Sequence, residues 1–131
     1  MSTELLCLVI NALWGQALVS IEIFGKTRAA GTRWNMGNRD RLPEFPAWVD
    51  RAGRALANHQ ENFPLFLTAV LVVTLTARGD ALSVWGSIVY VVARIVHGLV
   101  YVAGVTGIRS AAYVVGLLAT LAIYAALVWN P

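Results

Sequence analysis

The chain is poor in charge. Only 13% of its residues are Asp, Glu, Lys or Arg, about half of what a soluble domain carries. It has one cysteine, Cys7, which excludes an internal disulfide. It has two histidines, His59 and His97, and no acidic or thiol cluster beside them at ligand spacing, so no metal site is expected. No phosphate-binding glycine loop, nucleophile elbow or catalytic triad is present. No cation precedes Lys26, so the positive leader of a cleavable signal peptide is missing, and residues 4–24 are expected to stay as a first span. Low charge also excludes disordered and nucleic-acid-binding classes.

What is there is apolar. Of the 131 residues 58% are hydrophobic, and the mean hydropathy is +0.65. Glu4 to Glu22 encloses 17 uncharged residues, Glu61 to Arg78 encloses 16, and 22 follow Arg109. Between Asp80 and Arg109 the only charge is Arg94. So small a chain cannot bury that much apolar surface in water. An all-α integral membrane domain is expected over residues 1–131, a bundle of four transmembrane helices, because one crossing takes about 20 residues.

The first span covers about Glu4–Phe24, ended by Gly25 and Lys26. Residues 25–46 form a polar loop. Pro46 opens a second helix, Ala47–Ala77, charged at its start and expected to kink at Pro64. Arg78-Gly79-Asp80 is a tight turn. The third span covers Ala81–Ala103, Gly104 to Gly107 form a turn, and the fourth span covers Arg109–Trp129. Seven of the ten cations lie between Lys26 and Arg54. That asymmetry puts the first loop in the cytoplasm and both termini on the opposite side. Trp34, Trp48 and Trp129 suit the membrane interfaces.

Ionisable groups inside spans are costly and mark function or pairing. Arg51, Arg54, Asn58 and Glu61 recur at three, four and three residues, one face of a helix. Arg94, His97 and Tyr101 do the same in the third span. With Glu22 and Arg109, each helix brings polar groups to its cytoplasmic half, which suggests one polar pocket under the loop. Arginines outnumber carboxylates there, so the pocket suits an anion, which guanidinium grips through paired donors. A peptide-like ligand with two carboxylates and an amine fits the inventory. Equally, Arg54, Asn58 and Glu61 can be interhelical contacts that satisfy one another, Arg94 can pair with Glu61 or Glu22, and His97 can be a hydrogen-bonding core residue.

The stretch RAGRALANHQENFPLFL, Arg51 to Leu67, resembles the signature of the MAPEG family, the membrane-associated proteins in eicosanoid and glutathione metabolism. The pattern is carried by Arg51, Arg54-Ala55, Asn58, Glu61 and Pro64. A second block, ARIVHGLVY from Ala93 to Tyr101, resembles the family's third-span motif. Arg109 falls where the family has an arginine at the start of span four, and GTRWNMGNRD, Gly31 to Asp40, resembles the bacterial branch. Asn62 stands where some eicosanoid-synthesising members have tyrosine.

The resemblance implies a four-helix membrane bundle assembled as a homotrimer in the bacterial inner membrane, with glutathione as co-substrate between subunits and no metal. It implies Arg54, Asn58, Glu61, His97 and Tyr101 as glutathione-binding residues, Arg28 near a further basic position, and Arg109 as the catalytic residue that stabilises the thiolate. The implied activity is a glutathione-dependent transferase or peroxidase acting on a hydrophobic small molecule drawn from the lipids. A non-catalytic lipid-binding or scaffold protein of the same fold is the alternative. A small transporter is disfavoured, since no inverted repeat is evident.

Overall fold

The computed structural model describes residues 1–129. They form five helices: α1 (Thr3–Ala30), α2 (Thr32–Met36), α3 (Ala47–Leu75), α4 (Ala81–Ala103) and α5 (Thr106–Trp129), with no strand among the described residues. Three of them, α1, α4 and α5, are long and apolar enough to cross a membrane. The protein is therefore an integral membrane protein. Helix α3 has 29 residues, ample length, but Asp50, Arg51, Arg54 and Glu61 in its first half dilute its apolar character.

Helix α1 runs six residues past the expected stop at Phe24. Gly25 is a contact residue, not a terminator: a Cβ there would lie 2.7 Å from the side chains of Trp48 and Val49. Lys26 continues the helix by bonding Glu22 one turn back, the favourable order of charges. The helix ends instead at Gly31, whose φ of 89° suits glycine. The loop expected over residues 25–46 is thus shortened, and it contains the single turn α2.

Pro46 caps α3, its carbonyl accepting from the Val49 amide at 2.9 Å. The helix continues unbroken through Pro64 to Leu75. Asp80 and Ser83 form a reciprocal capping box at the start of α4. The same Ser83 hydroxyl donates to the buried Glu4 carboxylate at 2.8 Å, tying α1 to α4. Arg78, beside Asp80 in sequence, donates to the Leu127 carbonyl of α5. At the other end of α4 the Arg51 Nε donates to the Val102 carbonyl at 2.9 Å, so this arginine caps a neighbouring helix. Helix α5 begins three residues before Arg109, and Gly107 lies inside it.

Two contacts, Glu4 with Ser83 and Trp14 with Arg94, run α1 and α4 in the same direction. Gly15 lies against His59 and Gly53 against Glu22, so α3 runs opposite to α1. The core lies between α1, α3, α4 and α5, centred on Phe66 stacked at 4.0 Å on Tyr90, with Cys7, Val70, Val73 and Ile123 around them. Large apolar side chains such as Leu13, Phe24, Val92 and Leu118 are exposed. In water that would be a liability; against lipid it is the expected surface.

Candidate functional site

At the end of the bundle where α1 leaves and α3 enters, the last turns of α4 and the first of α5 frame a polar cleft of about 320 Å3. Asn58, His97, Tyr101, Arg109, Ser110, Tyr113 and Val114 line it. His97 and Tyr101 are one turn apart on α4, Arg109 and Tyr113 are one turn apart on α5, and Ser110 lines the cleft beside them.

The cleft is ordered by stacking. The Arg109 guanidinium carbon lies 4.6 Å from the Tyr101 ring centroid, a cation–π contact that holds its orientation. Tyr101 meets His97 edge-on at 5.4 Å, and Tyr113 lies 6.3 Å from His97. Arg109 is in the first turn of a long helix, so the positive end of the helix dipole adds to its charge.

Behind the cleft lies Arg94, 2% exposed. Its Nη2 donates to the Asn58 Oδ1 at 2.8 Å, and its own carbonyl accepts from the Trp14 indole at 3.1 Å. The expected partners Glu61 and Glu22 do not touch it. Glu22 is paired with Lys26, the one ion pair among the described residues, and Glu61 is exposed. The physical reason is helix rotation: Asn58, not Glu61, is the residue of α3 turned toward α4. A consequence follows for the amide. Guanidinium only donates, so the Asn58 oxygen is committed and its Nδ2 is left as a donor toward the cleft. Arg109 in the cleft, Arg94 behind it and no carboxylate among the lining residues make the site attractive to an anion.

The structure therefore brings together Asn58, His97, Tyr101 and Arg109. It does not bring Arg54, Glu61 or Arg28 into the same cleft of one chain. Arg54 and Glu61 are exposed on α3, and Arg28 is exposed on the last turn of α1. Ser110 and Tyr113 were not anticipated. Their signal was present in part, since Tyr113 follows Arg109 by four residues and Ser110 by three, the spacings that make neighbours on a helix. Among the described residues no three His, Cys, Asp or Glu side chains gather to hold a metal ion.

No individual curated protein matches the chain. The sequence model of the MAPEG family matches residues 4–129, nearly its whole length. With that coverage, and with apolar helices converging on an arginine-bearing cleft, the chain belongs to the MAPEG family.

Proposed function

We propose that the protein is a glutathione-dependent transferase or peroxidase acting on lipophilic electrophiles. The observation that supports this is the grouping of Asn58, His97, Tyr101 and Arg109 in one cleft of a MAPEG-family bundle. A free thiol is mostly protonated at neutral pH, and only the thiolate attacks. Arg109, backed by the α5 dipole, stabilises the thiolate. A hundredfold shift toward it requires about 2.7 kcal/mol, within reach of one close guanidinium. The Asn58 Nδ2 donates to a carboxylate or peptide carbonyl of the tripeptide, and Tyr101 and His97 supply further hydrogen bonds. In conjugation, the sulfur forms a bond to the electrophilic carbon while the leaving group departs with its electron pair.

In this reading α3 is the fourth crossing helix, its charged first half covered by a neighbouring copy in a homotrimer. The exposed Arg54 and Glu61, with Arg28, then complete a site between subunits, Glu61 taking the ligand's amine. The basic loop faces the cytoplasm of a bacterial cell, both termini lie on the opposite side of the inner membrane, and the hydrophobic co-substrate arrives from lipid.

A second reading, a non-catalytic lipid-binding scaffold, is favoured by one feature. A wholly apolar groove of about 360 Å3 lies on the other side of α4 and α5. Titrating the purified protein with glutathione while following ultraviolet thiolate absorbance separates the two. Thiolate formation, together with turnover of a chlorodinitrobenzene-type electrophile that collapses in Arg109→Ala, supports the enzyme. Binding without thiolate supports the scaffold, and no binding rejects the site.

A further inference from the structure

The segment between α1 and α3 carries charge that the glutathione reading leaves unused. Of its acidic neighbours, Glu22 forms an ion pair with Lys26, Glu44 and Asp50 line one surface cleft with that same lysine, and Asp40 is exposed between Arg39 and Arg41. Arg33, Arg39 and Arg41 are left exposed, and none of them is within ion-pair distance of a carboxylate among the described residues.

These arginines are held on a fixed frame. The Trp34 indole donates to the Arg41 carbonyl at 2.6 Å, and its ring meets Phe45 edge-on at 5.5 Å. Arg39 lies 5.6 Å from the Trp34 ring and also bonds Asn35. The backbone of this segment is thereby folded around one indole. Two apolar side chains stand beside the arginines without cover: Met36 is 83% exposed and Leu42 is 79% exposed. The segment begins at Gly31, about two helical turns past Phe24, the last large apolar residue of α1, itself exposed. At a rise of about 1.5 Å per residue this sets it about 10 Å beyond that side chain, the depth of the headgroups where the bundle leaves the hydrocarbon.

We infer that the Trp34-centred strap is a docking surface for anionic phospholipid headgroups, with Arg33, Arg39 and Arg41 taking phosphate oxygens and Met36 and Leu42 seated at the headgroup–acyl boundary. Guanidinium groups match phosphate through paired donors. Basic residues beside a membrane span attract an anionic leaflet, each by about fivefold. A soluble phosphate or a nucleic acid would account for the arginines but not for two exposed apolar side chains among them. A basic, apolar and aromatic mixture at the boundary is what an interfacial segment requires. The inference does not rest on the glutathione site, since none of these five residues lines it.

The test is native mass spectrometry of the detergent-solubilised full chain, counting retained phosphatidylglycerol against phosphatidylcholine. The wild type is expected to prefer phosphatidylglycerol. The triple variant Arg33→Gln, Arg39→Gln, Arg41→Gln should lower that preference at least tenfold. Arg33→Glu alone, a side chain with no internal hydrogen bond to lose, should lower it in the same direction. Met36→Ser with Leu42→Ser should reduce retention of both lipids while leaving the preference between them. Unchanged preference in Arg33→Glu and in the triple variant overturns the proposal. So does full displacement of the lipid by glycerol phosphate, which would make the strap a site for a free phosphate ester. Glutathione-induced thiolate absorbance should not change in these variants.

Discussion

Helices α4 and α5 build two clefts of similar size that share no residue. One side presents Val92, Val96, Ile108, Ala111 and Val115, with no polar atom exposed in the groove. The other presents His97, Tyr101, Arg109, Ser110 and Tyr113. The difference is an offset of one residue: Val96 against His97, Ile108 against Arg109, Ala112 against Tyr113. One step along a helix turns the side chain by about 100°. A single pair of helices can thus offer lipid an inert face and a ligand a charged one. The tests of this division run from the polar side to the apolar side.

Arg109→Ala should have the largest effect. If the guanidinium stabilises a thiolate, its loss should cut turnover about a hundredfold, the equivalent of about 2.7 kcal/mol. The ultraviolet thiolate signal should vanish at neutral pH and return at alkaline pH, where the thiol ionises unaided. Raising pH lowers the proton activity that opposes ionisation, so the deficit of the variant should shrink as pH rises. A pH-independent deficit would assign Arg109 to binding instead. Arg94→Met should come next. It keeps most of the buried volume but releases the Asn58 oxygen, so the amide is free to turn. Glutathione affinity should weaken about tenfold, near 1.4 kcal/mol, with turnover at saturation nearly kept. An equal fall in both would place Arg94 in the reacting centre rather than behind Asn58.

The contrast between the two sides is partly legible in the sequence. The limits of α4 follow from Asp80 and Ser83 at its start and Gly104, φ 86°, at its end, and all three are local signals. The three- and four-residue spacing of Arg94, His97 and Tyr101 placed them together for the same reason. What stayed hidden depended on other helices. Gly25 resembles a terminator in sequence, yet it is where Trp48 and Val49 pack. The partner of Arg94 is decided by how α3 is rotated, which periodicity fixes only up to a turn about the axis. Arg54 and Glu61 share a face with Asn58 in sequence terms, but that face is wider than one cleft, and within the chain they remain open. The family signature spans both groups without distinguishing what one chain gathers from what it leaves exposed.

Gly98→Ala tests the packing that both sides share. The added Cβ would lie 2.6 Å from the Trp14 ring, and that indole is bonded to the Arg94 carbonyl. The ring cannot move without losing this bond, so overpacking should cost about 1–3 kcal/mol. Thermal unfolding in detergent should show the loss, with glutathione affinity falling only a few-fold through displacement of neighbouring His97. An unchanged midpoint would mean that Trp14 has room to yield.

Val92→Phe should have the smallest effect. The side chain is 57% exposed on the apolar side, so the larger ring can fill the groove without entering the core. Glutathione affinity and thiolate absorbance should change by less than about twofold, since α4 keeps its helical rotation and His97 stays in place. The outcome that breaks the comparison is specific. If Val92→Phe suppresses turnover of a long-chain electrophile while sparing a small one, the apolar groove takes part in seating the co-substrate. The two sides of α4 and α5 would then act as halves of one extended site, joined through a neighbouring subunit, because within one chain the helices themselves separate them.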